Sequence, residues 1–140
     1  MTLDLTPLEK ACSSLQEAIS NASDQSFIAN LSESQRKLII AGVIQNFEFT
    51  YELCWKFIKR WLTENIGKTY VEGVTRRELF RLAATNKLID NVDNWMFYHQ
   101  ARNQTSHIYD EVVANEVFNA AKSFSQQANE LLASLAKRND

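Results

Sequence analysis

The chain has 140 residues, 45% of them apolar and 23% charged, enough to bury one continuous core and too few for two well-buried domains. Only three Gly and one Pro occur, which disfavours turn-rich sheets and predicts an all-α fold, with residues 1–140 forming a single domain. Fifteen Lys and Arg against 17 Asp and Glu give a formal charge of −2, so no global field draws the chain onto nucleic acid and any RNA contact must be local.

Residues 1–10 carry acids and a Pro where a signal peptide needs a basic start and an apolar run. No stretch approaches about 18 consecutive apolar residues, so a cytoplasmic protein without a membrane partner is expected. Cys12 and Cys54 stand alone, without CxxC or Cys/His spacing, and read as buried thiols rather than a disulfide or a metal site.

The first helix is predicted to start at Pro7 with Thr6 as its cap, carrying Leu8, Ala11, Leu15, Ala18 and Ala22, and to end between residues 23 and 31. A second starts near residues 32–34 and runs to about residue 65, with Ile40, Ile44, Phe47, Tyr51, Cys54, Ile58 and Trp61 at alternating steps of three and four. Val43, Phe49, Leu53, Trp55 and Phe57 widen its apolar arc beyond one stripe, and one face is expected to bury a second subunit. Residues 66–74 contain Gly67 and Gly73 and read as a loop.

Thr75 and Glu78 form a capping-box pattern for a third helix reaching about residue 86. Asp90 or Asp93 caps a fourth, which carries Trp95, Met96, Tyr98 and Ala101 and weakens through Asn103, Gln104, Thr105 and Ser106, residues that favour caps and turns. The last helix runs from about residue 113 to 137, with a fraying tail beyond it. Long helices on short connections predict an antiparallel up-and-down bundle of four to five helices, with any site between helices or at their ends.

Residues 101–109, ARNQTSHIY, concentrate a permanent cation, an imidazole and a phenol. On a continuous helix Arg102 and His107 would diverge by roughly 140°, so the spacing favours a helix that ends between them. A guanidinium fork matches phosphate oxygens and imidazole titrates near neutral pH, a pair suited to metal-independent phosphodiester cleavage by a neighbouring ribose hydroxyl. In that scheme His107 moves a proton, Arg102 steadies charge on phosphorus, and Asn103, Thr105 and Ser106 orient the substrate or the imidazole.

The plain alternative pairs Arg102 with Asp110 or Glu111 and makes His107 a helix cap. Tyr109, Tyr98 and His99 read by default as partly buried ring residues, with Tyr98 and His99 as possible pocket residues. Glu48 and Glu52, one turn apart with Lys56 a further turn on, read as a surface pair; no His accompanies them, and neither a metal nor a cofactor is expected. Arg76, Arg77 and Arg81 form the densest basic cluster, in which Arg77 and Arg81 share a helical face that could meet phosphate or a partner's acids, and the cluster reads as a solvated face.

The order Arg102, four residues, His107, one residue, Tyr109 resembles the R-x4-H-x-Y signature of HEPN proteins encoded beside a minimal nucleotidyltransferase. The stretch NFEFTYELCWK (residues 46–56), the TRREL helix start (residues 75–79) and Trp95 resemble the branch named nucleotidyltransferase substrate-binding proteins. The resemblance implies a helical bundle similar to the substrate-binding domain of aminoglycoside nucleotidyltransferases, assembled as a homodimer and partnered by a separate small nucleotidyltransferase subunit. In the toxin–antitoxin form of such pairs the implied roles are catalytic for Arg102 and His107, accessory for Asn103 and Ser106, and AMP acceptor for Tyr109, whose modification silences the ribonuclease. Two other readings are a non-catalytic, nucleotide-binding subunit that positions a substrate for the transferase, and a plain dimeric scaffold.

Overall fold

The computed structural model describes residues 2–139. Helix α1, Thr6–Ser23, starts one residue earlier than Thr6 as a cap would allow: Leu5 is the capping residue and the Asp4 carboxylate accepts from the Thr6 amide at 3.1 Å. A five-residue helix, α2 (Gln25–Ala29), follows with Asp24 as its cap. Helix α3, Glu33–Ile66, spans 34 residues and so about 50 Å. Ser32 and Gln35 cap each other's backbone amides reciprocally at its start, and Gly67 ends it at φ 108°, a conformation that side-chain-bearing residues avoid.

The predicted loop over residues 66–74 contains a single turn of helix, α4 (Lys68–Val71). Helix α5, Arg76–Thr85, has only half of the predicted capping box: the Thr75 hydroxyl accepts from the Glu78 amide, while the Glu78 carboxylate turns to Arg81 at 3.5 Å. Helix α6, Val92–Asn103, is capped by Asn91 rather than by Asp90 or Asp93, and Asp93 pairs with Arg77 at 3.4 Å. A 3-10 turn, Gln104–His107, follows directly, and α7, Glu111–Lys137, starts behind an Asp110 cap.

The architecture is all-helical, the antiparallel bundle expected, with α1 packed along α3, α7 against both, and the α5–α6 pair against α3 and α7. Phe124 of α7 sits at the centre of the core. Its ring lies 5.1 to 6.2 Å from those of Phe47, Tyr51, Trp95 and Tyr98, so one side chain joins α3, α6 and α7. Part of the excess apolar arc on α3 is consumed inside this core, where Val43 and Phe57 are buried, while Leu38 and Phe49 are left exposed. Cys12 and Cys54 are both buried and free, and burial pushes the Cys12 thiol up to about 11.

The chain ends are tied rather than frayed through residue 139. Leu3 and Asn139 exchange two hydrogen bonds, at 2.8 and 2.9 Å, and the Trp61 indole donates to the Arg138 carbonyl. Among the described residues no helix is long and apolar enough to cross a membrane.

Candidate functional site

The polar motif straddles the junction of α6 and the 3-10 turn. Asn103, Gln104, Thr105 and Ser106 break the α-helix where their side chains compete for backbone groups, and the Thr105 hydroxyl donates to the Arg102 carbonyl at 2.9 Å. Arg102 therefore lies on the last turn of α6 and His107 at the end of the tighter turn. Asn103 and Ser106 are exposed on either side of the junction.

Arg102 is rooted on α3. Its Nε lies 3.2 Å from Glu52 Oε1 and its Nη1 3.7 Å from Glu48 Oε2, with a further hydrogen bond from Nη1 to the Thr105 hydroxyl at 3.2 Å. The Nε is buried but misaligned for a hydrogen bond to Glu52, so that contact is coulombic. No ion pair or hydrogen bond among the described residues engages Nη2.

This overturns two readings from sequence. The acid partners of Arg102 are Glu48 and Glu52, not Asp110, which caps α7, or Glu111, which approaches Lys37 at 3.9 Å. Nor do Glu48 and Glu52 make a surface pair with Lys56, which lies over the Trp55 ring.

Around this ion cluster runs a second set of contacts. The remaining oxygen of Glu52 accepts from the Trp55 indole at 3.1 Å; Arg76 stacks on Trp55, its Cζ 3.8 Å from the ring centroid, and donates to the Tyr51 hydroxyl at 3.1 Å. Tyr51 in turn contacts His99 Nδ1 at 2.8 Å. Arg76 can only donate, so all three groups are satisfied when the phenol donates to Nδ1 and His99 carries its proton on Nε2. Burial, then the nearby Arg76 charge, lower the His99 pKa; burial raises the Tyr51 phenol to about 12 despite Arg76.

His99 thus joins the Arg102 cluster, while Tyr98, one residue earlier, turns into the core and shares a hydrogen bond with Ser123 at 2.9 Å. His107 is exposed, and its ring lies 6.2 Å from that of Tyr109, itself 84% exposed. No hydrogen bond joins Arg102 to His107 among the described residues. A shallow cleft between α3 and the start of α7, lined by Ile40, Ile44, Ile108 and Ala114, borders Tyr109. No cluster of three or more metal-ligating side chains occurs among the described residues.

The residues missed from sequence are Glu48, Tyr51, Glu52, Trp55 and Arg76 in these roles. Their one local signal was an acid pair flanked by two aromatics within two turns of α3, a pattern that an exposed helix face does not need.

A helical bundle with an Arg/His/Tyr motif at a helix end, its arginine held by two acids of the long helix, defines the class. The family described as nucleotidyltransferase substrate binding protein like matches residues 3–137, and the chain belongs to that family. It is 33% identical over 138 residues to a Haemophilus influenzae protein named probable ribonuclease HepT, the match covering 98% of this chain and 94% of that one.

Among solved structures, a Haemophilus influenzae protein described as revealing the fold of a substrate-binding domain of a nucleotidyltransferase superposes with a TM-score of 0.92 at 31% identity. That superposition covers 95% of this chain and 99% of the other. A Thermus thermophilus protein superposes with a TM-score of 0.71 at 25% identity, over 91% and 98% of the two chains.

Proposed function

We propose that this protein is the HEPN-type subunit of a two-component system: a cytoplasmic homodimer that cleaves RNA without a metal and is silenced when a separate small nucleotidyltransferase places AMP on Tyr109. The observation that carries the reading is the junction itself, which presents the His107 imidazole at the surface beside the exposed Tyr109 ring, directly after an arginine with one free donor edge. The relative named as a probable ribonuclease supports the cleavage half, and the family description supports the transferase partner.

The chemistry needs only groups the chain supplies. The ribose 2′-oxygen attacks phosphorus as His107 takes its proton, the bond to the 5′-oxygen breaks, and that oxygen takes a proton from solvent as it leaves, giving a 2′,3′-cyclic phosphate and a free 5′-hydroxyl. Arg102 Nη2 donates to a non-bridging oxygen as charge grows there, with Asn103 and Ser106 beside it. Silencing transfers AMP from a nucleoside triphosphate: the Tyr109 oxygen bonds to the α-phosphorus, pyrophosphate leaves, and the phenolic proton goes to solvent. The adduct adds bulk and negative charge at the ring next to His107, where an RNA phosphate must approach.

One observation favours a second reading, a non-catalytic substrate-binding subunit. Glu48 and Glu52 leave Arg102 at the centre of a cluster with net charge −1, an unfavourable setting for a phosphate, and the structurally similar Haemophilus protein is described by a substrate-binding fold.

RNA cleavage by the purified protein in excess EDTA, beside folded Arg102→Ala and His107→Ala variants, separates the two. Cleavage by the wild type and by neither variant establishes the ribonuclease. Protein verified as unmodified at Tyr109 that cuts no member of a broad RNA panel leaves the binding subunit.

A further inference from the structure

The basic cluster of α5 divides once the structure is known. Arg77 is neutralised by Asp93 and Arg81 by Glu78, but Arg76 has no carboxylate partner among the described residues. It sits at the first position of α5, where a cation opposes the helix dipole, so helix stability does not account for it.

What holds Arg76 is aromatic. The 3.8 Å approach of Cζ to the Trp55 ring seats the guanidinium over that ring, and the bond from Nη1 to Tyr51 restricts it further. A stacked guanidinium keeps its in-plane edge of N–H donors available, with much of the side-chain entropy already lost. That is how an arginine is prepared for a phosphate.

The same contacts tie Arg76 to Arg102. Glu52 touches Trp55 through one oxygen and Arg102 through the other, so a chain of contacts through Trp55 and Glu52 connects the two guanidiniums. Tyr51 connects Arg76 to His99, one turn before Arg102 on α6. With Arg76 counted, the charges of Arg76, Arg102, Glu48 and Glu52 cancel, and the deficit at Arg102 alone is removed.

We propose that Arg76, braced by Trp55 and Tyr51, binds a backbone phosphate of the RNA strand next to the one engaged at Arg102, forming a second subsite on the α3–α5 face. The proposal rests on the RNA-cleaving reading and extends it from the scissile phosphate to the strand beside it. Tyr51 and Trp55 are positioning residues in this scheme, and Arg76 is the binding residue.

The test is fluorescence anisotropy of a labelled single-stranded RNA across a salt series, in a His107→Ala background so that the strand stays intact, with folding of every variant checked by circular dichroism. Arg76→Gln should weaken binding about tenfold and reduce the slope of log affinity against log salt by about 0.7, the contribution of one phosphate contact on a single strand. Arg76→Lys should keep that slope while losing part of the affinity; Tyr51→Phe should lose affinity with the slope unchanged. Arg81→Gln should alter neither.

If the background protein binds RNA and Arg76→Gln matches it in affinity and slope, the subsite is refuted and the ribonuclease reading stands. If the protein with His107 intact neither cuts nor binds RNA, the ribonuclease reading fails and the subsite fails with it.

Discussion

Replacing Glu52 by Gln removes one negative charge from the Arg102 cluster while keeping the shape of the side chain and an oxygen that can still accept from Trp55. The carboxylate lies 3.2 Å from Arg102 Nε, and both side chains are about one-third exposed, at 34% and 33%. At a water-like dielectric that separation corresponds to about 1.3 kcal/mol, and the ordering of both side chains reduces the net contribution to about 1 kcal/mol. For a chain of this size the melting temperature should fall by about 3 °C.

Binding should move the other way. A phosphate on Arg102 Nη2 would sit roughly 6 Å from the Glu52 carboxylate, a repulsion of about 0.7 kcal/mol in a water-like medium, so its removal should tighten RNA binding about threefold. A thermal melt followed by circular dichroism and an RNA titration by anisotropy read the two effects separately. A Glu52→Gln variant that loses RNA affinity along with stability would refute the reasoning, because it would make the carboxylate a required positioning group for Arg102 and not a competitor for its charge.

Phe124→Ala should cost about 3–5 kcal/mol, since a fully buried ring that meets four others leaves a cavity where α3, α6 and α7 join; the melting temperature should drop by roughly 10 °C or more, and a shift of only a few degrees would contradict the packing. His99 predicts a pH limb. Its folded pKa lies below the ordinary 6.5, so its contribution to stability is complete above pH 6.5 and is lost as pH falls below it, because the unfolded imidazole takes up the proton that the folded one resists. The NMR titration of His99, assigned with His99→Gln, should show the lowered value and an upward move in Arg76→Gln; an unmoved titration would mean that Arg76 does not face the imidazole.

What could be read from sequence was local. The apolar spacing of α3 persists over nine turns behind a Ser32 cap, so both ends fell within about a residue, and the polar run after Arg102 announced the end of α6 because those four side chains compete with helix hydrogen bonds. What could not be read was which faces meet. Tyr98 and His99 are neighbours of similar character in the chain, yet a 100° turn of helix sends one to Ser123 and the core and the other to Tyr51. Arg76, Arg77 and Arg81 are equivalent as letters, and only the packing of α5 against α3 gives Arg76 an aromatic brace while its neighbours find acids. Glu48 and Glu52 needed the same knowledge, because their partner lies 50 or more residues away on a different helix.

The chain carries four tyrosines, which bears on the silencing proposal. Tyr51 and Tyr98 are buried and hydrogen-bonded, and burial raises the Tyr51 phenol to about 12, so neither could reach into the site of a second enzyme without unfolding its surroundings. Tyr70 at 69% and Tyr109 at 84% exposure are the two accessible phenols, and they separate accessibility from position. Tyr70 lies on α4, whereas Tyr109 faces the His107 ring at 6.2 Å. An adduct on either residue would add the same mass and charge, but only one on Tyr109 would stand where the proposed chemistry takes place. Exposure that would let a partner reach Tyr109 and proximity that would let an adduct obstruct His107 are thus properties of one short segment, which follows the end of α6.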